Sequence, residues 1–508
     1  MKRNSLRALF AASAVSLSAC QPSAKSPENE PARPLPNIVL IYLDDLGYGD
    51  TGAYGATALA TPNIDSLAAG GLRFTDGYAA SATCTPSRFA LLTGMYPWRE
   101  KEARILPGNA PLLIDTAQLT LPALLKKQGY QTGIVGKWHL GLGDGQMDWN
   151  GRIGPGPNEL GFDHSYILAA TQDRVPTVYI QNGAVVGFDP NDPISVDYKE
   201  NFPGEPTALD HPEQLKLNWD HGHNNSIVNG IPRIGFMKGG QAARWVDEDM
   251  ADTFLAEARE FVTDHKGGPF FLYYALQQPH VPRTPHARFA GTTGLGPRGD
   301  AIAEADWCIG ELMKTLKEEG LLGNTLVILS SDNGPVLNDG YADQAVELNG
   351  SHTPWGPLRG GKYSLFQAGT RVPFIVSWPG TVAPGVSNAL VSQVDLLASL
   401  GRLAGAEVSG TDSQDLLDAF LGRTEQGREN LVLEATGRTA FRQGGWVLIP
   451  PHEGPAVAAN VNIELGNSPG YQLYHLSDDA GETRNLAGEE PARLQELIAA
   501  FEDVIYPD

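Results

Sequence analysis

NIVLIYLDD, residues 37–45, is a nearly unbroken apolar run that ends on two adjacent carboxylates. Apolar side chains at successive rather than alternate positions belong to a strand covered on both faces, the situation of a parallel strand in an α/β sheet. Four further segments read the same way: QTGIVG (131–136), PFFLYYAL (269–276), TLVILSS (325–331) and VPFIVSW (372–378). Helical patterns alternate with them over 119–128, 241–264, 300–320 and 389–404. Another helix is opened by Thr61-Pro62, with proline in its first turn, and closed by Gly70-Gly71. This alternation predicts an α/β fold, a large, mostly parallel central sheet sandwiched by helices. The stretch 141–240 is rich in Gly, Pro, Asn and Asp and reads as long loops at the rim of a cleft. Near residue 428 the pattern changes. LVLEA, TAFRQ, GWVLIP and YQLYHL read as short antiparallel strands, and PARLQELIAAFEDV as a last amphipathic helix. The expected division is an α/β domain over 37–427 and a smaller α+β subdomain with an antiparallel sheet over 428–508.

The amino terminus reads as an export signal. Lys2, Arg3 and Arg7 precede an apolar stretch, Ala8 to Ala19, too short to span a bilayer, which needs about 20 residues. Leu17-Ser18-Ala19-Cys20 resembles the lipobox of bacterial lipoproteins, so residues 1–19 are expected to be removed and Cys20 acylated. Residues 21–36 hold five prolines and suit an extended tether, giving a Pro-rich segment over 20–36. The expected location is the outer membrane or periplasm, with the membrane as a partner through that lipid. The net charge of −22 argues against nucleic acid as a partner, because phosphate contact needs basic surface. It also repels an anionic substrate at long range, so a site for one needs its own concentrated positive charge.

Ligand groups in open α/β sheets gather beyond the carboxyl ends of the strands. Two such ends are acidic here: Asp44-Asp45 follows NIVLIYL, and Asp332-Asn333-Gly334 follows TLVILSS. Asp and Asn also start turns, but two adjacent carboxylates are costly to hold together without a cation. Three carboxylates and an amide oxygen form a hard, all-oxygen set suited to Ca²⁺ or Mg²⁺ rather than zinc.

The chain has three cysteines, too few for a disulfide framework. Cys308, in AIAEADWCIGELMKTL, fits a buried small apolar residue of a helix. Cys84 stands apart in SATCTPSRFALLTG (81–94). Pro86 suits the first turn of a helix running to Thr93 and stopped by Gly94, which puts Cys84 at an amino end that favours an anion. A thiolate nucleophile is one reading, but the cysteine-phosphatase loop spaces Cys and Arg six apart and the gap here is four. Cys84-Thr85-Pro86-Ser87-Arg88 with Leu92-Thr93-Gly94 instead resembles the type I sulfatase signature C-x-P-S-R-x-x-x-L-T-G, a family of the alkaline phosphatase superfamily. LDDLGYGD (43–50), GKWHLG (136–141), QQPHVP (277–282), SSDNG (330–334), LRGGKYSLFQAGTRVPFI (358–375) and YQLYHLSDDAGETRNL (471–486) are similar to the family's other blocks, in its order.

This resemblance implies that a maturation enzyme oxidises Cys84 to formylglycine. It implies that Asp44, Asp45, Asp332 and Asn333 bind calcium together with that residue, magnesium being the second choice. The hydrated aldehyde would attack sulfur and form a covalent sulfo-enzyme. Arg88, Lys137 and Lys362 would surround the sulfate oxygens. His280 would protonate the leaving alcohol, and His139 would take the remaining hydroxyl proton so that sulfate is expelled. Taken singly, the lysines also fit solvated surface residues and the histidines fit core or loop positions.

The chain looks most like bacterial carbohydrate sulfatases of the galactose-6-sulfate and N-acetylgalactosamine-6-sulfate kind, so the implied substrate is a sulfated polysaccharide. Asp173, Arg174, His221 and His223 fall in expected rim segments and are candidates for sugar hydroxyls, with loop-bracing ion pairs or an adventitious metal site as the plainer readings. The alternatives are a broad arylsulfatase, a phosphodiesterase or phosphonate monoester hydrolase of the same superfamily, and a non-catalytic glycan-binding lipoprotein. The phosphate enzymes commonly place a histidine beside the metal aspartate, where this chain has Asn333.

Overall fold

The strand Asn37–Leu43 is buried at every residue and pairs in parallel on both sides, with Phe270–Ala275 and Thr325–Ser331. It is the centre of a computed structural model that describes Met1 and residues 35–506. The expected signal segment, Cys20 and the expected tether up to residue 34 lie outside the described residues, Met1 apart. Gln131–Lys137 and His164–Leu168 continue the parallel ladder beyond Phe270–Ala275. Five parallel strands therefore form the middle of a ten-stranded sheet, continued on both sides by short strands that join it through antiparallel pairs, the outermost on one side, Gly385–Ser387, pairing in parallel with Leu72–Phe74.

The alternation of side chains along the first strand assigns the two faces. Val39, Ile41 and Leu43 share a core with Pro62–Ala69, Met250–Asp264 and Gly296–Glu318. Tyr42 points the other way, where its hydroxyl donates to Gln393 and the Arg88 guanidinium lies over its ring. Cys84–Thr93, Leu121–Lys127 and Leu396–Leu403 pack together on that side. Cys308 is fully buried in the helix Gly296–Glu318, and neither it nor Cys84 is in a disulfide.

Three local expectations need correction. Phe374–Ser377 runs antiparallel to Thr325–Ser331: the connection over 332–373 holds no helix beyond a single 3₁₀ turn and does not return the chain to the end of the sheet at which Thr325–Ser331 begins. The helix expected over 241–264 begins only at Met250, since Asp247 is buried in an ion pair with Arg233. That expected over 389–404 begins at Leu396, after a short strand and a turn capped by Ser392. The stretch 141–240 also contributes a core strand, His164–Leu168.

Asn430–Ala435, Arg438–Gln443, Trp446–Ile449 and Gln472–His475 form a four-stranded antiparallel sheet backed by the helix Pro491–Ile505. This sheet is built onto the main body: residues 36–508 form one compact unit, and the Ala82 N–H donates to the Glu434 carbonyl across 2.8 Å. Glu482 is a second tie. Its carboxyl is fully buried and accepts from the Gln367 N–H at 2.7 Å. Burial without a paired cation pushes its pKa up to about 8 from an ordinary 4.5. The folded carboxyl thus keeps its proton through a range in which the unfolded one loses it. The stabilisation is complete below pH 4.5 and is lost as pH rises toward 8. Glu482→Gln keeps the acceptor and removes the titration. The variant's melting temperature is expected to rise relative to the parent as pH goes from about 5 to about 8, the variant being the more stable at the upper end; parallel curves would contradict this.

Candidate active site

Register brings the acids together. Leu43 pairs with Ser331 at the ends of adjacent parallel strands, and the Asp332 N–H donates to the Leu43 carbonyl at 3.0 Å, so Asp44 and Asp332 leave the sheet side by side. Asp45, at φ 62°, turns its N–H onto the Asp332 carboxylate at 3.3 Å. Lys137 is the last residue of Gln131–Lys137, one strand removed from Asn37–Leu43, and its ammonium lies 2.5 Å from Asp44 and 3.7 Å from Asp332. The Arg88 guanidinium donates twice to one Asp332 oxygen, at 3.0 and 2.8 Å. Lys362 lies 3.0 Å from Asp45 and 2.8 Å from Asp339. All these groups are buried.

The cations do not fully satisfy the acids. Burial first, then the Asp332 charge, pushes the Asp44 carboxyl well above the usual range, against the pull of Lys137. Asp44 Oδ1 and Asn333 Oδ1 are buried without a hydrogen-bond partner. Asn333 spends its Nδ2 on Asp45 at 2.7 Å and on the Gly334 carbonyl at 2.9 Å, which leaves Oδ1 as the free end. Ligand atoms of Asp44, Asp332 and Cys84 lie within 4.8 Å of one another, as do those of Asp44, Asp45 and His280. Buried oxygens left without partners, with carboxylates crowded beside them, suit a hard divalent cation.

Cys84 opens the helix Cys84–Thr93, which Gly94 closes at φ 65°. Burial pushes the thiol up despite Lys137 and Lys362, so the sulfhydryl stays protonated and is a poor nucleophile as it stands. Both site histidines are held neutral. Burial, then Lys137, pulls His139 well below its ordinary value; burial, then Lys362, does so for His280. Carbonyls fix their tautomers. His139 Nε2 lies 2.9 Å from the Leu106 oxygen and must donate, leaving Nδ1 bare and unpartnered. His280 Nδ1 lies 2.7 Å from the Val281 oxygen, which leaves Nε2 bare, 4.0 Å from Asp45.

A cavity of about 330 Å³ opens onto Cys84, His280 and Lys362. Its wall also carries Asp173, Arg174, His221 and His223, so the rim residues singled out in sequence meet the reactive ones. Asp173 lies 3.0 Å from Arg174 and 2.8 Å from His223. Burial would raise its pKa, but Arg174 and the His223 hydrogen bond outweigh it and hold the carboxylate charged. Arg88, Lys137, His139 and the acids Asp44, Asp45, Asp332 and Asn333 are buried off that wall. Asp339, Tyr363, Ala458, Asn460 and Val461 also line the cavity and were not legible in sequence. Tyr363, at φ 74°, donates to Asp339 at 3.0 Å. A further unforeseen residue, Glu304, accepts from Gln278 Nε2 at 3.0 Å and from the His286 N–H at 2.9 Å, clamping both ends of the loop that bears His280.

Comparison with known proteins agrees with this geometry. The sulfatase family model matches residues 36–406. An N-acetylgalactosamine-6-O-sulfatase of Bacteroides thetaiotaomicron is 51% identical over 474 residues, covering 92% of this chain and 93% of that protein. Human arylsulfatase A is 34% identical over 497 residues, covering 93% and 87%. A solved Bacteroides thetaiotaomicron structure, described under metabolism of multiple glycosaminoglycans, superposes with a TM-score of 0.91 at 51% identity, covering 92% of this chain and 99% of that one.

The unsatisfied oxygens generate a prediction independent of turnover. Ca²⁺ at about 100 times its dissociation constant is expected to stabilise the chelator-treated protein by about 2.7 kcal/mol, read as a rise in melting temperature. Asp44→Asn is expected to abolish that rise; an unresponsive parent protein would remove the metal assignment.

Proposed function

The chain belongs to the sulfatase family and is a sulfuric ester hydrolase, and on that premise we propose that it removes 6-O-sulfate from galactose or N-acetylgalactosamine units of a polysaccharide. One observation carries the sugar reading: a single cavity joins Cys84, His280 and Lys362 to the charged group Asp173, Arg174 and His223. A fixed carboxylate beside a guanidinium can accept from and donate to neighbouring hydroxyls, which a plain aryl ester lacks. The 51% identity to an N-acetylgalactosamine-6-O-sulfatase supports the same choice.

The family uses a formylglycine, here drawn from Cys84, and a metal ion, here assigned to Asp44, Asp45, Asp332 and Asn333 as calcium. When bound, the cation supplies positive charge that favours the ionised form of the hydrated aldehyde, the nucleophile toward sulfur. Lys362 on the cavity wall, with Lys137 and Arg88 behind it, supplies the positive potential that draws a sulfate ester into an acidic protein. The sulfate's charge offsets the lysines that, with burial, keep His280 deprotonated. Substrate entry therefore raises the proton affinity of Nε2, which takes up a proton from solvent and then delivers it to the departing alcohol. His139, with Nδ1 bare and Nε2 tied to a carbonyl, is arranged as a base that receives the hydroxyl proton when sulfate is released.

Asn333, rather than histidine, beside Asp332 favours sulfate over phosphodiester or phosphonate substrates. A sulfated polymer met outside the cytoplasm fits export as a lipoprotein anchored through Cys20, the reading that the lipobox-like LSAC supports. Among the described residues no helix is long and apolar enough to cross a membrane.

Mass spectrometry of active protein from a host with the maturation enzyme is expected to find an aldehyde in place of the thiol at residue 84; an intact sulfhydryl in fully active protein would overturn the nucleophile. A screen of defined 2-, 3-, 4- and 6-sulfated sugars is expected to favour the 6-position. In the same assay Asp173→Asn is expected to lower kcat/KM on the preferred sugar by about 10- to 100-fold, the worth of a hydrogen bond to a charged group, while hydrolysis of a small aryl sulfate changes little. Equal losses on both substrates would favour the broad arylsulfatase.

A further inference from the structure

A second cavity, of about 480 Å³, adjoins the catalytic one. Val461 belongs to the walls of both. Two segments run from one to the other: Arg359 and Gly360 face the second cavity while Lys362 and Tyr363 face the first, and the hairpin 457–464 does the same in reverse, with Ala458 and Asn460 on the catalytic side and Asn462 to Glu464 on the other. The wall between them is tightly packed at Gly361. A β-carbon there would stand 2.5 Å from the Pro335 carbonyl and 3.4 Å from the Ile463 side chain. The Lys362 N–H fastens the same point to Pro335 at 2.9 Å. By contrast, the cavity walled by Arg371, Arg428 and Arg442 and the one beside Asp343 share no wall residue with the catalytic cavity.

The lining is amphipathic in the manner of a pyranose. Trp355 is half-buried against the core and presents an aromatic surface, with Leu358, Val336 and Ile463 beside it. Arg359 meets Glu464 through two hydrogen bonds of 2.8 and 2.6 Å, and the Asn462 side chain is exposed on the hairpin. A sugar ring has C–H groups that pack on an aromatic face and hydroxyls that both donate and accept, which matches an Arg–Glu pair and an amide.

We propose that this groove is a second sugar subsite, holding the pyranose glycosidically joined to the sulfated unit in the catalytic cavity. The inference rests on the carbohydrate reading above and deepens it: the enzyme recognises a polymer end or segment rather than an isolated sulfated sugar. The hairpin 457–464 is then the wall that both units touch, and the groove contributes to capture without touching the reacting atoms.

The test uses matured full-length protein, N-acetylgalactosamine-6-sulfate, a trisaccharide carrying that sugar at its non-reducing end, and a small aryl sulfate. The trisaccharide is expected to exceed the monosaccharide in kcat/KM by about tenfold, chiefly through KM. Trp355→Ala is expected to bring the ratio to about one with the monosaccharide value held within about twofold. Because Trp355 packs on the core, Asn462→Trp serves as the second variant; it fills the groove from the exposed hairpin and is expected to do the same. A parent enzyme indifferent to the added units, or a trisaccharide advantage that survives both variants, would overturn the subsite. So would equal losses on mono- and trisaccharide in both variants. Turnover of the aryl sulfate with neither sugar accepted would instead sink the carbohydrate reading itself, and the subsite with it.

Discussion

The structure depends on a crowd of like charges that the sheet register makes unavoidable. Parallel pairing of Leu43 with Ser331 places Asp44 beside Asp332, and Asp45 is turned back against the same carboxylate. Buried carboxylates this close repel strongly in a medium of low polarisability. The fold answers with Lys137, Arg88 and Lys362, each arriving from a different element and each in direct contact with one of the acids. The compensation stops short of completion, because Asp44 and Asn333 keep oxygens without partners. That residue of unsatisfied negative potential is what a divalent cation would fill. With a divalent cation there to take up the excess negative charge, Lys137, Arg88 and Lys362 would leave a local positive field inside a protein whose overall charge is −22. At physiological salt, surface charge is screened beyond about 8 Å, so a buried cluster next to the sulfate outweighs the distant acidic surface.

How far the sequence was legible follows from what each residue reports. NIVLIYL announced itself because burial on both faces leaves no polar alternation, and the strand runs over the residues expected, 37–43. The antiparallel course of Phe374–Ser377 had no local signal, since a strand's direction depends on whether the preceding connection crosses the sheet. His164–Leu168 escaped notice because a five-residue strand opening on His and Ser lacks a long apolar run. Asp44, Asp45, Asp332 and Cys84 were visible through adjacency or motif. Asp339, Tyr363 and Glu304 were not, because their importance lies in contacts with Lys362 and Gln278 that no spacing encodes.

The two histidines show how backbone carbonyls can allocate chemistry. A carbonyl only accepts, so each ring nitrogen that meets one is committed to carrying a proton. His139 commits Nε2 and His280 commits Nδ1, and in each ring the other nitrogen is left to act. Burial and neighbouring lysines keep both rings neutral in the free protein, so neither ring holds a second, uncommitted proton before an anion enters. The conformational cost falls on the backbone: His139 and Tyr363 both sit at positive φ, a placement that non-glycine residues adopt only when the surroundings enforce it.

The C-terminal region takes part in this site rather than merely covering the sheet. Its antiparallel strands are joined to the segment before the signature helix through Glu434, which meets both Ser81 and the Ala82 N–H. Its hairpin supplies Ala458, Asn460 and Val461 to the catalytic cavity. A substrate reaching Cys84 therefore passes between the long loops of 141–240, which bear Asp173, Arg174 and His223, and a wall contributed from beyond residue 428. Asp44, Asp332, Lys137 and Cys84 come from strand ends and a buried helix, and His280 and Lys362 from buried loops, whereas the groups proposed to meet the rest of the substrate come from the long loops and the hairpin. Loops and hairpins can be altered without disturbing the charge balance at the strand ends, so substrate preference can change here independently of the chemistry.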